Sequence, residues 1–64
     1  MLRGRRIAFD YGDVRIGVAI SDPDSILASP LTTLSSGDPK LFTEIAELMV
    51  EHEPVGIYVG NPMN

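Results

Sequence analysis

The 64-residue sequence predicts an α/β fold with the element order β-β-β-α-β. Three observations predict it: two-residue alternation over residues 5–11 and 15–21, apolar residues at three- and four-residue spacing over 39–52, and an apolar run at 55–59 directly after the helical stretch. The expected architecture is a three-stranded antiparallel meander, with a fourth strand returning parallel to it by a right-handed crossover.

In the first strand, residues 5–11, Ile7, Phe9 and Tyr11 face one way and Arg6, Ala8 and Asp10 the other. Gly12-Asp13 is a turn dipeptide leading into the second strand, residues 15–21, where Ile16, Val18 and Ile20 alternate with Gly17, Ala19 and Ser21. One face is bulky and the other nearly bare. Asp22-Pro23-Asp24-Ser25 is a turn signal, because proline presets φ and the polar side chains bond nearby backbone. A third strand is expected within residues 28–34, and Pro30, which cannot donate to a ladder, marks it as an edge strand.

The helix is expected over residues 39–52, with Asp38 as its N-cap and Pro39 at its first position. Leu41, Ile45, Leu48 and Met49 form its apolar stripe, Phe42 widens that stripe, and Glu44, Glu47 and Glu51 line the water side. Pro54 disfavours helical geometry at Glu53 and ends the helix. The fourth strand, residues 55–59, runs into Gly60-Asn61-Pro62, and its outer edge is apolar, the kind of edge that folded chains cover. The expectation is therefore an N-terminal portion of a longer domain, or a subunit that completes its sheet by pairing this edge with another chain, as in a dimer.

A chain this short buries only about 60% of its unfolded surface. With no cysteine, neither a disulfide framework nor a thiolate metal site supports that small core, so a self-sufficient enzyme is not expected. Asp10 interrupts the first apolar stretch far short of a signal peptide's apolar region, and no run approaches the ~20 residues of a membrane span. A cytoplasmic protein without a membrane partner is expected. Residues 1–20 carry Arg3, Arg5, Arg6 and Arg15 against Asp10 and Asp13, a local +2; residues 21–64 carry Lys40 against seven acids, a local −6. The net −4 argues against passive binding to a phosphate backbone, so contact with nucleic acid would be local, near the arginines. Arg3, Arg5 and Arg6 read first as a solvated terminus.

Ligands of open sheets bind beyond the carboxyl ends of parallel strands. If strands one and four are parallel neighbours, Asp10, Tyr11 and Gly12 meet Gly60 and Asn61 at one edge. A strand-borne carboxylate beside a glycine suits a hard cation such as Mg²⁺, although on residues alone Asp10 reads equally as a carboxylate bonding turn amides near Gly12. Asp13 and the Asp22/Asp24 pair lie at opposite ends of the second strand, about 20 Å apart at ~3.3 Å per residue, and read as turn residues. Gly12 and Gly17 serve a turn and close packing or leave room for substrate. Arg15 either solvates a strand start or meets phosphate, and Asn61 and Asn64 are turn residues that can also hydrogen-bond a ligand. His52 reads as a cation welcomed by the helix C-terminus.

Residues 7–22, IAFDYGDVRIGVAISD, and 54–64, PVGIYVGNPMN, resemble the N-terminal half of the YqgF family, also called RuvX. These are bacterial pre-16S rRNA nucleases with a ribonuclease H-like fold, also described as resembling Holliday junction resolvases. The motif D-x-G-x-x-R-I-G-V-A is matched at Asp10, Gly12, Arg15, Ile16, Gly17, Val18 and Ala19. The second motif, V-G-L-P, appears as Val59-Gly60-Asn61-Pro62, with Asn61 in place of leucine. The resemblance implies that residues 1–64 are the N-terminal portion of a single ribonuclease H-like domain. It implies that Asp10 is the first catalytic acid and a ligand for Mg²⁺ or Mn²⁺ in phosphodiester hydrolysis, and that the substrate is nucleic acid, RNA before branched DNA. The remaining acids of the family fall beyond Asn64, so the chain alone is expected to be inactive. A rival resemblance is to actin-like and sugar-kinase ATP sites, which also begin D-x-G on a strand. There Ser or Thr follows toward the phosphates, whereas this chain has Asp13 and Val14.

Overall fold

Alternation places Ile7 and Phe9 on one face of β1 (Arg6–Tyr11), and Ile16 and Val18 on the same face of β2 (Arg15–Ser21), in the computed structural model, which describes residues 3–24 and 27–60. The strands pair antiparallel, with Phe9 opposite Val18 and Tyr11 opposite Ile16. Their turn is closed by the Gly12 N–H, which donates to the Arg15 carbonyl at 2.7 Å.

β3 (Ala28–Ser35) pairs antiparallel with β2 and forms one edge of the sheet, where Pro30 costs no ladder bond toward a further strand. Val18 pairs with Thr32 and Ala19 with Pro30, so Leu31 is the extra residue of a bulge. That bulge lets Leu31 join Leu34 against the core although the two are three residues apart, an odd spacing that regular alternation would send to opposite faces.

α1 (Leu41–His52) starts two residues later than expected. Asp38 is not its N-cap and Pro39 not its first residue: the N-cap is Lys40, with no side-chain cap, while Asp38 Oδ1 accepts the Lys40 N–H at 2.8 Å in the preceding turn and the Leu41 N–H reaches the Asp38 carbonyl at 3.0 Å. The first turn is thus tightened to three-residue bonding, and regular helix begins only after it. At the other end Glu53 adopts a left-handed conformation (φ 46) while its N–H donates to the Met49 carbonyl. A side chain in that region costs about 1–2 kcal/mol, so Glu53→Gly is expected to raise stability by about 1 kcal/mol. A urea midpoint that fails to rise would refute stored strain at this position.

β4 (Gly56–Gly60) begins one residue later than expected, after the Val55 N–H has donated to the Arg5 carbonyl at 2.8 Å. It runs parallel to β1, with Phe9 opposite Val59, and completes a sheet of order β3-β2-β1-β4. Ile7, Phe9, Ile16, Val18 and Leu34 form the buried core, and α1 lays Leu41, Ile45, Leu48 and Met49 on it.

The helix surface corrects one expectation. Phe42 does not widen the buried stripe but is 81% exposed, because it lies about 100° round the helix from Leu41. Glu44, Glu47 and Glu51 lie on the side away from the buried stripe, as expected, with Glu47 and Glu51 exposed; with Leu48 and His52 they border a groove of about 260 Å³ against Leu31, Thr32 and Leu34 of β3. His52 lies in the last turn of α1, as expected, and borders that groove. Its side chain is 15% exposed, and its Nε2 is buried without a hydrogen bond, 3.5 Å from Glu51 Oε2.

Partial desolvation raises the Glu44 carboxyl above its ordinary 4.5, helped by a hydrogen bond with Asp38 and by repulsion from Asp38 and Glu47, with Lys40 opposing. A carboxyl raised on folding binds its proton more tightly in the folded chain, so stability falls as pH rises through the interval just above 4.5. Glu44→Gln is expected to flatten the stability–pH curve there; an unchanged slope would place the repulsion elsewhere.

The basic N-terminus is exposed at Arg3 and Arg5, as expected. Arg3 Nε meets Asp24 Oδ1 at 2.9 Å, and Arg6 donates through Nη1 to the Gly4 carbonyl at 3.0 Å. The exposed Arg3–Asp24 pair contributes at most about 1 kcal/mol, but it ties the β2–β3 turn to the start of β1, at the end of the sheet away from Asp10.

Candidate active site

Because α1 covers the face carrying Phe9, the alternate residues of the sheet lie on the open face. Across that face Gly60, Asp10, Gly17 and Thr33 form one row, Asp10 pairing with Gly60 of β4 and with Gly17 of β2. Asp10 is exposed and glycine flanks it on both sides. A Cβ built on Gly17 would stand 3.9 Å from the Asp10 Cβ, and one on Gly60 would stand 3.6 Å from Asp10 Oδ1. The carboxylate therefore leans over the end of β4, into space that any larger residue at position 60 would enter.

The alternative use of Asp10, as an acceptor for turn amides, does not occur among the described residues. The Gly12 N–H that such a turn would offer is bound to the Arg15 carbonyl instead. A Cβ at Gly12 would come within 3.1 Å of that carbonyl, so the tight turn accounts for this glycine. No hydrogen bond or ion pair to Asp10 is found among the described residues, and an exposed, unpaired carboxylate offers both oxygens to a ligand.

Arg15 lies on the same open face, since its neighbour Ile16 is buried on the other. It is two residues from Gly17, the partner of Asp10, which makes it a diagonal neighbour at roughly 7–8 Å, within reach of a long side chain. Asp13 sits in the β1–β2 loop. Asp22 and Asp24 lie at the far end of β2, where the Asp22 N–H bonds the Leu27 carbonyl and Asp24 binds Arg3. Asn61 and Asn64 fall outside the described residues.

Among the described residues no three His, Cys, Asp or Glu side chains converge to hold a metal ion. Asp10 fits a hard cation as one ligand, through an oxygen on an open face with room for water. It does not by itself make a metal site, because such ions take further carboxylate or phosphate oxygens. Sequence reading brought Gly60 to the edge of Asp10 but missed Gly17 on its other side, which the β1–β2 register places there.

A mixed sheet of order β3-β2-β1-β4, with one crossover helix and a carboxylate at the end of its central parallel strand, defines the first half of a ribonuclease H-like α/β protein. A RuvX profile, described as Holliday junction resolvase, matches residues 4–64. The chain belongs to the RuvX family.

Its curated relatives include a protein of Streptomyces coelicolor, 49% identical over 63 residues that make up 97% of this chain and 38% of the relative. A Mycobacterium leprae protein is 51% identical over 61 residues, 94% of this chain and 33% of the relative. A third, from Mycobacteroides abscessus, is 48% identical over 97% of this chain and 39% of its own length. Each bears the name "Putative pre-16S rRNA nuclease". The chain thus spans between a third and two-fifths of the length of these relatives.

Proposed function

We propose that this chain is the N-terminal portion of a ribonuclease H-like nuclease domain, and that it supplies the first metal-binding carboxylate for hydrolysis of phosphodiester bonds in RNA, in 5′ maturation of pre-16S ribosomal RNA in the cytoplasm. The observation that carries this reading is Asp10, without a partner among the described residues, on an open face between two glycines at the end of parallel strands. Family membership and the names of the relatives support a nuclease. No helix among the described residues is long and apolar enough to cross a membrane.

A Mg²⁺ or Mn²⁺ ion at Asp10 would activate water and stabilise charge on the phosphate. Asp10 would hold that ion through oxygens to which none of the described residues donates. Gly17 and Gly60 keep the adjoining strands low, so a phosphate can approach the carboxylate without meeting a side chain. Arg15, with five donors in a fixed fork, is placed to take a non-bridging phosphate oxygen and hold the backbone over the row. Asn61, directly after Gly60, is a further candidate for hydrogen bonding to substrate. One carboxylate leaves the site incomplete, so the 64-residue chain alone is inactive in this reading and the other acids come from the rest of the protein.

The complete reading frame, assayed on precursor 16S rRNA with Mg²⁺ or Mn²⁺, is expected to trim the 5′ end. A four-way DNA junction is the second arm, motivated by the description of the family profile. Cleavage of the junction with the rRNA untouched would move the substrate to branched DNA; cleavage of neither would sink the nuclease reading.

Metal binding has a readout of its own. Paramagnetic Mn²⁺ added to the 64-residue chain is expected to broaden the amide resonances of Asp10, Gly17 and Gly60 first, at roughly millimolar concentration for a single exposed carboxylate. The broadening should vanish in Asp10→Asn. Equal broadening at Asp22 and Asp24 would mean non-specific attraction to acid.

A further inference from the structure

The open-face row that begins at Gly60 and crosses Asp10 and Gly17 ends on β3 at Thr33, and the adjoining pair on the same face is Arg15 with Ser35. Residues directly opposite in an antiparallel pair share a face, their Cβ atoms about 4.5–5.5 Å apart. Arg15, Thr33 and Ser35 are all exposed, and with Val14 and Leu34 they line a depression of about 290 Å³ on the β3 side of the sheet.

No side chain stands between that depression and Asp10. Gly17 occupies the intervening position, and a Cβ built on it would find only the Asp10 Cβ within 4 Å, at 3.9 Å. A path therefore crosses the strands from the carboxylate over Gly17 to Thr33. At two strand spacings it is about 10 Å long, which leaves room for one nucleotide beside a phosphate held at Asp10.

The chemistry of the depression differs from that of Asp10. Arg15 can only donate, and its planar fork suits a phosphate. A serine or threonine hydroxyl both donates and accepts, and neither the Thr33 nor the Ser35 hydroxyl has a hydrogen bond among the described residues. The ribose 2′-hydroxyl is likewise donor and acceptor, and it is the group by which a protein tells RNA from DNA. Val14, 66% exposed, offers the sugar an apolar wall.

We propose that Arg15, Thr33 and Ser35 form a ribose-phosphate subsite for the nucleotide next to the scissile phosphate, with Arg15 on its phosphate and the two hydroxyls on its 2′-hydroxyl. Thr33 and Ser35 are then specificity-determining residues that favour RNA over DNA. The subsite rests on the nuclease reading of Asp10 and goes beyond it, because it says which residues of this chain recognise the ribose.

The test separates binding from cleavage. The complete protein carrying Asp10→Asn is titrated, with Mg²⁺ present, into a fluorescently labelled single-stranded oligoribonucleotide of pre-16S sequence and into its all-deoxy counterpart, and anisotropy is read. RNA is expected to bind about tenfold more tightly, the scale of one or two hydrogen bonds. Thr33→Val combined with Ser35→Ala should remove that preference by weakening RNA binding alone. Arg15→Gln should weaken both ligands, since both carry the phosphate. Thr32→Val, on the helix side of β3, should keep the preference. Equal affinities at the outset, a preference that survives the double substitution, or equal weakening of RNA and DNA by it would each overturn the subsite, as would binding of neither ligand. The nuclease reading is decided apart from this, by cleavage with Asp10 intact: a protein that cleaves nothing loses that reading, while the binding ratio still decides whether Thr33 and Ser35 recognise ribose.

Discussion

Asp10→Asn is expected to reduce cleavage of precursor 16S rRNA by the complete protein roughly 1,000-fold, with little change in its folding. Asparagine is nearly the same size, so Gly17 and Gly60 still border it without crowding. The side chain is exposed and makes no bond to the described residues, so the fold loses nothing when its charge goes. Binding of a divalent cation does change, because an amide offers one neutral oxygen where the carboxylate offered two and a negative charge. Metal-ion catalysis is worth several kcal/mol of transition-state stabilisation, and about 1.4 kcal/mol is tenfold in rate. Single-turnover rates at saturating metal, with circular dichroism to show an intact fold, decide the matter. Undiminished cleavage would remove Asp10 from the mechanism. The neighbouring glycine grades the same idea: Gly60→Ala adds a methyl at an ordinary contact distance from Asp10 Oδ1 and should be tolerated, whereas Gly60→Val should crowd the carboxylate and weaken Mn²⁺ binding.

Phe9→Ala is expected to abolish cooperative folding of the 64-residue chain. Phe9 is 5% exposed, flanked in register by Val18 and Val59, and belongs to a core of five buried side chains among the described residues. Truncating a buried phenylalanine costs about 3–5 kcal/mol, and a single core in a chain below roughly 70 residues rarely supplies more than 3–5 kcal/mol in total. The loss is therefore comparable to the whole stability. Phe42→Ala is the contrast: the same residue type at 81% exposure should stay within about 0.5 kcal/mol of the parent. Urea titrations followed by far-ultraviolet circular dichroism separate the two. A Phe9→Ala chain that keeps a sharp transition close to the parent midpoint would show that stability resides outside this core.

Much of this fold was legible one residue at a time. Two-residue alternation located β1 and β2 and divided their side chains between a bulky and a bare face, and Pro30 marked β3 as an edge. Helix boundaries were less legible, because Asp38 bonds the Lys40 N–H in a turn before the helix and the regular helix waits until Leu41. Phe42 was assigned to the buried stripe since hydrophobicity and spacing cannot tell which part of a wide apolar arc finds a partner. That depends on where the sheet ends beneath the helix. The bulge at Leu31 and the Arg3–Asp24 pair were likewise invisible, one resting on cross-strand register and the other on two turns 21 positions apart meeting at one corner.

For the site, sequence alone was enough to single out Asp10, Gly12 and Arg15, because a carboxylate in a dry strand and the D-x-G-x-x-R-I-G-V-A spacing are local features. Tertiary structure decided what surrounds them. Parallel pairing of β1 with β4 set Gly60 beside Asp10, antiparallel pairing with β2 set Gly17 on its other side, and the Gly12 amide was taken by the Arg15 carbonyl, leaving the carboxylate without a bond to the described residues. The physical reason is that side-chain identity and period are written along the chain, whereas register is fixed by the combined burial of Ile7, Phe9, Ile16, Val18 and Leu34 beneath one helix, and a slip of one residue would turn Asp10 into that core.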